Sequence, residues 1–502
     1  MTDWDGLEPT AQRLDRLVLR GRAGDVALVD RAGTLDFAGL NAAVGSLAAH
    51  LAARAAPGDR IASWLPKTRT ACLLALACAR AGLVHVPVNA LLKRAQVAHI
   101  LADSGARLLV TQPARAGLLA PGDRPDGCEL VTEEALAAPH ATALPPSAGD
   151  TDDLAALLYT SGSTGRPKGV MLSHANLWLG AIAVAHYLNL SPQDRTLAVL
   201  PLSFDAGLNQ LLSTWAAGAS AVPLHYLVAG DVVKAVGRYG VTTLAGVPPL
   251  WIQLAEAHWP AETAAKLRTL SATGGRMPVP LVRRLRAAFP QASLHLMYGL
   301  TEAFRSTSLD PALADTHPES IGRAIPFAEI LVARPDGSLA GADEPGELVH
   351  AGPLVAQGYW RDPDRTALRF KPAPAGSSLG GIAVWSGDNV VRGGDGLLRF
   401  VGRDDEMIKV SGNRISPTEI EEAAIASGAV SEAIALGVPD ERMGQAIRLI
   451  ARGTRDEAKL RAYFKAELPN FQQPRDIVWV DALPHNPNGK LDRVAIALGY
   501  GA

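Results

Sequence analysis

Only three cysteines occur in the 502 residues, Cys72, Cys78 and Cys128. They make neither a disulfide framework nor a zinc pattern, so a reducing, cytoplasmic setting is expected. Net charge is equally scarce. With 48 basic and 50 acidic residues the chain carries −2, and no global basic field points to nucleic acid or to an acidic membrane. The opening stretch MTDWDGLEPTAQRLD is acidic and mixed, unlike a signal peptide. The most apolar run, Ala71 to Leu92, is interrupted by Arg80 and His85 and contains VHVPV. It predicts a helix followed by a strand rather than a membrane span. No fixed-period repeat is present.

Apolar residues make up 48% of the chain, and its length suits more than one domain. Helix-like and strand-like stretches alternate through the first 400 residues: TRTACLLALACARAG, LVHVPV, KRAQVAHILADSG, ARLLVT. That alternation predicts an α/β fold, layered, with mainly parallel sheets. The character changes at GRDDEMIKVSGNRISPTEIEEAA, where charges crowd a short segment. Ser416 to Glu419 reads as an S-x-x-E capping box with Pro417 at the first helical position. A helix, the strands EAIALGVP and AIRLIARG, and a helix to Leu468 follow. Two domains are expected: residues 1–402, and a small α+β domain over 403–502, with the boundary at Gly402 to Asp405.

The stretch TSGSTGRPKG, Thr160 to Gly169, combines three glycines, four hydroxyl side chains and a lysine. Glycines let a ligand approach main-chain N–H groups closely; hydroxyls and a lysine add donors and charge. A phosphate chain is the natural occupant. It is not a Walker loop, since no Ser or Thr follows Lys168 to ligate magnesium. The flanks, LAALLY and Ser173 to Asn189, read as a buried strand and a helix capped by Ser173. The alternative, a flexible linker, does not suit those flanks.

Further charged residues ask for a role. Thr301, Glu302 and Arg305 lie just past the strand LHLM, where ligands bind in open α/β sheets. Glu302 is suited to Mg²⁺, or is simply a helix-start glutamate. Asp388 in SGDNV reads as a turn aspartate or a carboxylate for two ribose hydroxyls. Lys490, in PHNPNGKLDR, reads alone as a solvated charge. Asp205 sits among apolar residues and needs a partner, either a substrate ammonium or an internal cation such as Arg305.

In order, TSGSTGRPKG, YGLTE, GELVHAGPLVAQGYW, WSGD, GRDDEMIKVSGNRISPTEIE and PNGKLDR span nearly the whole chain. Together they resemble the AMP-forming adenylating superfamily of acyl-CoA synthetases and amino-acid adenylation domains. FDAGLNQL, GVPPLWIQL and YGLTEAFRST look most like the ligases associated with exosortase A systems and the stand-alone prolyl-carrier-protein ligases. The resemblance implies ATP and Mg²⁺, an acyl-adenylate, and transfer to the thiol of CoA or of a carrier protein's phosphopantetheine. It assigns Thr160, Ser161, Gly162, Ser163, Thr164, Gly165 and Lys168 to the β- and γ-phosphates. Gly274, Gly275 and Arg276 border adenine, although family members often carry Glu where Arg276 stands. Tyr298 stacks on the ring and Gly299 follows it. Thr301 and Glu302 contact the α-phosphate and Mg²⁺, and Asp388 and Arg403 bind ribose. Lys490 bridges the carboxylate and the α-phosphate. Asp405 is the hinge of a domain rotation, and Gly412 flanks the pantetheine tunnel.

The same resemblance puts Asp205, Asn209, Met297 and Arg305 in the acid pocket. In amino-acid-activating relatives the aspartate of the FDx motif binds the substrate amine. Here Arg305 either neutralises Asp205 or meets a second acid group on the substrate. A small amino, imino or polar acid is favoured over a fatty or aryl acid, since burying an unpaired guanidinium is costly. No carrier domain follows Ala502, so a separate thiol acceptor is expected. An amine acceptor, as in amide synthetases, and a non-catalytic nucleotide-binding protein are the other readings; the second would be expected to lack Lys490 or Glu302.

Overall fold

The computed structural model describes all residues except 1–3, 5, 137, 139, 141, 162–166, 276, 404–407, 411, 412, 441–443, 469 and 502. One sheet is built from Glu129–Thr132, Leu108–Thr111, Arg60–Trp64, Val84–Pro87, Leu154–Ser161 and Pro167–Ser173, in that spatial order. Neighbours run parallel except the last pair. Strands such as Val84–Pro87 and Leu108–Thr111 are buried along their whole length, which is why they read as unbroken apolar runs. The helix Arg69–Arg80, capped by the Thr68 side chain, is buried all round from Ala71 onward. This explains the membrane-like apolar run: it is a core helix and a core strand. Arg80 sits there opposite Asp15 at 3.0 Å. Burial holds the His85 imidazole near a pKa of about 3, hence neutral, against Ser63. Among the described residues no helix is long and apolar enough to cross a membrane.

A second, larger sheet has a parallel core of Val26–Asp30, Ser220–Pro223, Arg195–Ala198, Thr243–Gly246, Thr269–Ala272 and Ser293–Tyr298. Helices Asp205–Ala216, Ala229–Tyr239, Pro248–Glu256 and Val279–Ala288 connect or follow its strands. The large domain is thus mainly parallel α/β, as the alternation implies. From Thr307 to Arg403 the same sheet continues antiparallel, with Ser320–Ala324 beside Leu398–Arg403 and Glu329–Ala333 at the far edge. Most links there are too short for crossover helices, so neighbouring strands must reverse direction.

The small C-terminal domain wraps helices Pro417–Ala426 and Glu457–Glu467 onto a sheet containing Val430–Asp440, Gly444–Gly453 and Asp476–Trp479. Pro417 opens its helix as expected, but the Ser416–Glu419 capping box does not form. The Ser416 hydroxyl donates instead to the Val401 carbonyl at 2.6 Å, and Glu419 accepts from Gln472. Tertiary partners outbid the local cap.

Candidate active site

The glycine loop joins two antiparallel strands, Leu154–Ser161 and Pro167–Ser173. The expected strand–helix placement is therefore corrected. PKGVMLS pairs back along LAALLYTS, and the helix begins only at His174, with Ser173 as its N-cap. Any anion site here relies on the loop and its side chains rather than on a helix dipole. Gly162, Ser163, Thr164 and Gly165 lie outside the described residues, as does the side chain of Ser161. The Thr160 hydroxyl, at the loop's edge, is buried and has no partner among the described residues.

Lys168, on the second strand, donates to the Tyr359 hydroxyl at 2.6 Å and lies 3.3 Å from Glu302 Oε1. Tyr359 in turn donates to the same Glu302 oxygen at 2.6 Å. Thr301 and Glu302 form a single 3₁₀ turn after the strand Ser293–Tyr298, anchored by Ala356 N–H donating to the Glu302 carbonyl at 2.8 Å. Burial alone would push the Glu302 carboxyl up. The Lys168 ammonium and the Tyr359 hydroxyl outweigh it and hold the group below its ordinary range. Burial lowers the Lys168 ammonium. Glu302 is therefore an ionised hard oxygen donor, the type that shares a Mg²⁺ with phosphate oxygens. Among the described residues no cluster of three or more His, Cys, Asp or Glu could hold a metal unaided. Tyr359 was not singled out from sequence, although it lies in the quoted GPLVAQGYW stretch.

Asp388 lies within the strand Ile382–Arg392, not in a turn. Gly387 takes φ +71° and the register shifts beside it, so the SGD segment has turn-like composition inside a long strand. Arg403 is its cross-strand partner, 3.2 Å from the carboxylate. The Tyr298 hydroxyl donates to the other Asp388 oxygen at 2.5 Å. Burial and the Asp388 charge raise the Tyr298 phenol far above its ordinary value, so it stays a donor. Gly299 follows Tyr298 at the strand end.

Lys490 reaches this cleft. Its backbone N–H and that of Asn488 donate to the Asn486 side chain. Asn89 of the large domain donates to the Pro487 carbonyl at 2.8 Å, tying the two domains together. The Lys490 stem passes over Gly274, whose φ is +81°; a Cβ there would stand 2.9 Å from Lys490 Cε. The ammonium lies 5.1 Å from the Phe204 ring centroid. Burial lowers its pKa, and it feels Asp205, Arg305, Asp388 and Arg403 together. One cation thus stands within electrostatic reach of both the acid pocket and the Asp388–Arg403 pair. Gly275 adjoins Pro248, and Arg276 is outside the described residues, as are Asp405 and Gly412.

Asp205, first residue of the helix Asp205–Ala216, is paired. Its Oδ2 accepts from Arg305 at 3.1 Å and its Oδ1 from Ala206 N–H at 2.7 Å. Arg305 is turned inward by an unusual bend. Phe304 has φ +58° and ψ −39°, with Arg305 N–H donating to the Ala303 carbonyl at 2.6 Å. This is a γ-turn of the strained hand, and strain of this kind costs about 1–3 kcal/mol. The buried Phe304 ring fits against Gly180, where a Cβ would be 2.2 Å from it. Asn209, Met297 and Arg305 line one cavity of about 30 Å³. Met297 accepts from the Tyr187 hydroxyl.

Two family models match the chain: AMP-binding enzyme over residues 16–360, and AMP-binding enzyme C-terminal domain over 419–490. A feruloyl-CoA synthase of Amycolatopsis sp is 32% identical over 96% of this chain and 98% of its own length. An L-proline–[L-prolyl-carrier protein] ligase of Pseudomonas fluorescens is 30% identical over 94% of this chain and 95% of its own. The ATP-bound crystal structure of MatB from Rhodopseudomonas palustris superposes with a TM-score of 0.87 at 27% identity, covering 98% of this chain and 99% of that one. The chain belongs to the AMP-binding enzyme family, whose fold it shares.

Proposed function

We propose that this chain activates a small polar carboxylic acid and passes it to the thiol of CoA or of a separate carrier protein. The reaction type is that of the family: ATP-dependent formation of an acyl-adenylate, then thioester transfer. A carboxylate oxygen attacks the α-phosphorus of ATP, the bond to the bridging oxygen breaks, and pyrophosphate leaves with the electron pair. A thiol sulfur then attacks the acyl carbon, its proton is lost, and AMP departs with the other pair. The first step brings two anions together, so fixed positive charge is decisive. The observation that carries the reading is Lys490 lying over Gly274 and coupled to both ends of the cleft.

Lys168 and the loop from Thr160 would hold the leaving phosphates, with Thr160 offering an unpartnered hydroxyl. Glu302 would hold Mg²⁺ together with phosphate oxygens, and the ion when bound neutralises charge on them. Asp388, Arg403 and Tyr298 would border the nucleoside. Rotation about Asp405 would withdraw Lys490 for the second step and bring Gly412 toward the thiol arm. A cavity of about 550 Å³ between Lys67, Ser203 and the Asn486–Gly489 loop adjoins Lys490. The closed Asp205–Arg305 pair supports a polar acid without an amine.

The test is acid-dependent ATP–pyrophosphate exchange over short, amino, aryl and fatty acids, followed by product analysis with CoA and with a phosphopantetheinylated carrier. Formation of AMP and a thioester supports the reading. Absence of AMP with every acid would leave a nucleotide-binding protein.

A further inference from the structure

The acid pocket has a polar floor where an apolar core would be ordinary. Residues alternate across a strand, so Thr243 shares a face with Ala245, and Ser271 with Thr273. Parallel registry aligns Thr243 with Thr196 and Ser271 with Ala245. The helix Asp205–Ala216 lies over that face, presenting Ala206, Asn209, Gln210 and Ser213 at helical spacing.

Several of these polar groups satisfy one another. Thr214 donates to Thr196, and Gln210 donates to the Leu197 carbonyl and accepts from Leu200 N–H. Four do not. Asn209 Oδ1, Thr243 Oγ1, Ser271 Oγ and Arg305 Nε have no hydrogen-bond partner among the described residues. All four residues are at most 3% exposed, and all line the same cavity of about 30 Å³. Buried polar atoms are almost always paired, with protein or with water, so four orphans around one small space mark a site for a polar group.

The surrounding charge narrows the ligand. Arg305 is balanced by Asp205, both of whose oxygens are engaged. A substrate ammonium would find its carboxylate taken and a guanidinium beside it. A second substrate carboxylate would add an uncompensated negative charge deep in the fold. An unsubstituted tail would leave all four atoms unpaired. The volume holds only about one or two water-sized groups.

Resting on the adenylation reading above, we infer that the acid is short and uncharged beyond its carboxylate, with one hydroxyl or carbonyl oxygen that Arg305 Nε, Thr243, Ser271 and Asn209 read. A substrate hydroxyl would accept from the guanidinium and one side-chain hydroxyl and donate to the amide oxygen; a substrate carbonyl would accept from two of the three donors, the remaining side-chain hydroxyl turning to the amide oxygen. A site built to hydrogen-bond an oxygen strongly rejects the analogue lacking it.

Wild-type enzyme is assayed by ATP–pyrophosphate exchange with hydroxy and oxo acids of about three to five carbons. Their deoxy counterparts, proline and alanine, succinate, octanoate and ferulate form the comparison set. A hydroxy or oxo acid is expected to exceed its deoxy counterpart in kcat/KM by about 100-fold or more. In Thr243→Val and Ser271→Ala that ratio falls by about tenfold or more, through loss with the oxygenated acid. The wild-type series does not depend on either variant folding. Best exchange with an amino acid, diacid, fatty or aryl acid leaves adenylation standing and overturns this inference. Equal rates with oxygenated and deoxy acids overturn it too. No exchange with any acid removes the adenylation reading, and this inference with it.

Discussion

Two of the ion pairs flanking the cleft differ in how firmly they are closed. Arg305–Asp205 is sealed, with side chains 4% and 2% exposed. Lys168–Glu302 is looser, at 17% and 13%, with a longer contact and a tyrosine hydroxyl shared between the two groups. A sealed pair has little solvent to fall back on if one member is lost. The looser pair can exchange one contact for a phosphate or a cation. The same chemistry thus shapes a pocket at one end and supplies a ligand-responsive site at the other.

Lys490, the cation coupled to the sealed pair, gives the largest expected effect. Lys490→Ala should lower adenylate formation by about a thousandfold, the upper end for one preorganised charge, yet transfer the acyl group of preformed adenylate to the thiol at nearly wild-type rate. Single-turnover measurement of both half-reactions checks this, and equal loss in both would break the assignment. Next is the contrast itself. Arg305→Met should destabilise the fold by about 3–5 kcal/mol in urea unfolding by stranding Asp205. Lys168→Met should cost less, because the Tyr359 hydroxyl still donates to Glu302, while exchange activity collapses. Matching stability losses would erase the distinction drawn here. Gly180→Ala overpacks Phe304 and should cost about 1–3 kcal/mol. It should raise KM for the acid and for MgATP together, and a change in neither would uncouple the bend from the cleft.

A last effect, seen only against pH, concerns a cation held by two backbone carbonyls. Lys67 donates to the carbonyls of Val199 and Leu224, and burial lowers its pKa to about 7. Its folded-state pKa lies below the unfolded value, so the unfolded chain binds more protons between about pH 7 and 10. Stability from this group therefore rises with pH across that window, by up to about 1.4 kcal/mol per unit. Unfolding followed against pH should show that slope in wild type and its loss in Lys67→Met.

The α/β layering was legible because buried parallel strands and their helices leave long periodic runs. Lys168, Glu302, Asp388 and Lys490 were legible as ordered motifs, because each sits in a short distinctive stretch. Contacts between distant stretches were not. Nothing near Glu302 announces Tyr359, and nothing near Asn89 announces the Pro487 carbonyl. Asp388 reads as a turn because Gly387 and Ser386 are turn residues; the surrounding sheet draws them into a strand. Thr243 and Ser271 hide differently. Threonine is common in strands for its shape, and only the alternation in TLSAT hints that one face is polar.

The bend at Phe304 has one more implication. Glu302 and Arg305 stand at opposite ends of a single tight corner that Gly180 makes room for. The part proposed to meet phosphate oxygens and the part proposed to select the acid are mounted on one bracket. A chain that retunes its substrate by rebuilding this corner would also retilt the Glu302 carboxylate. New specificities should therefore arise more readily from the strand floor and the overlying helix than from Arg305 itself.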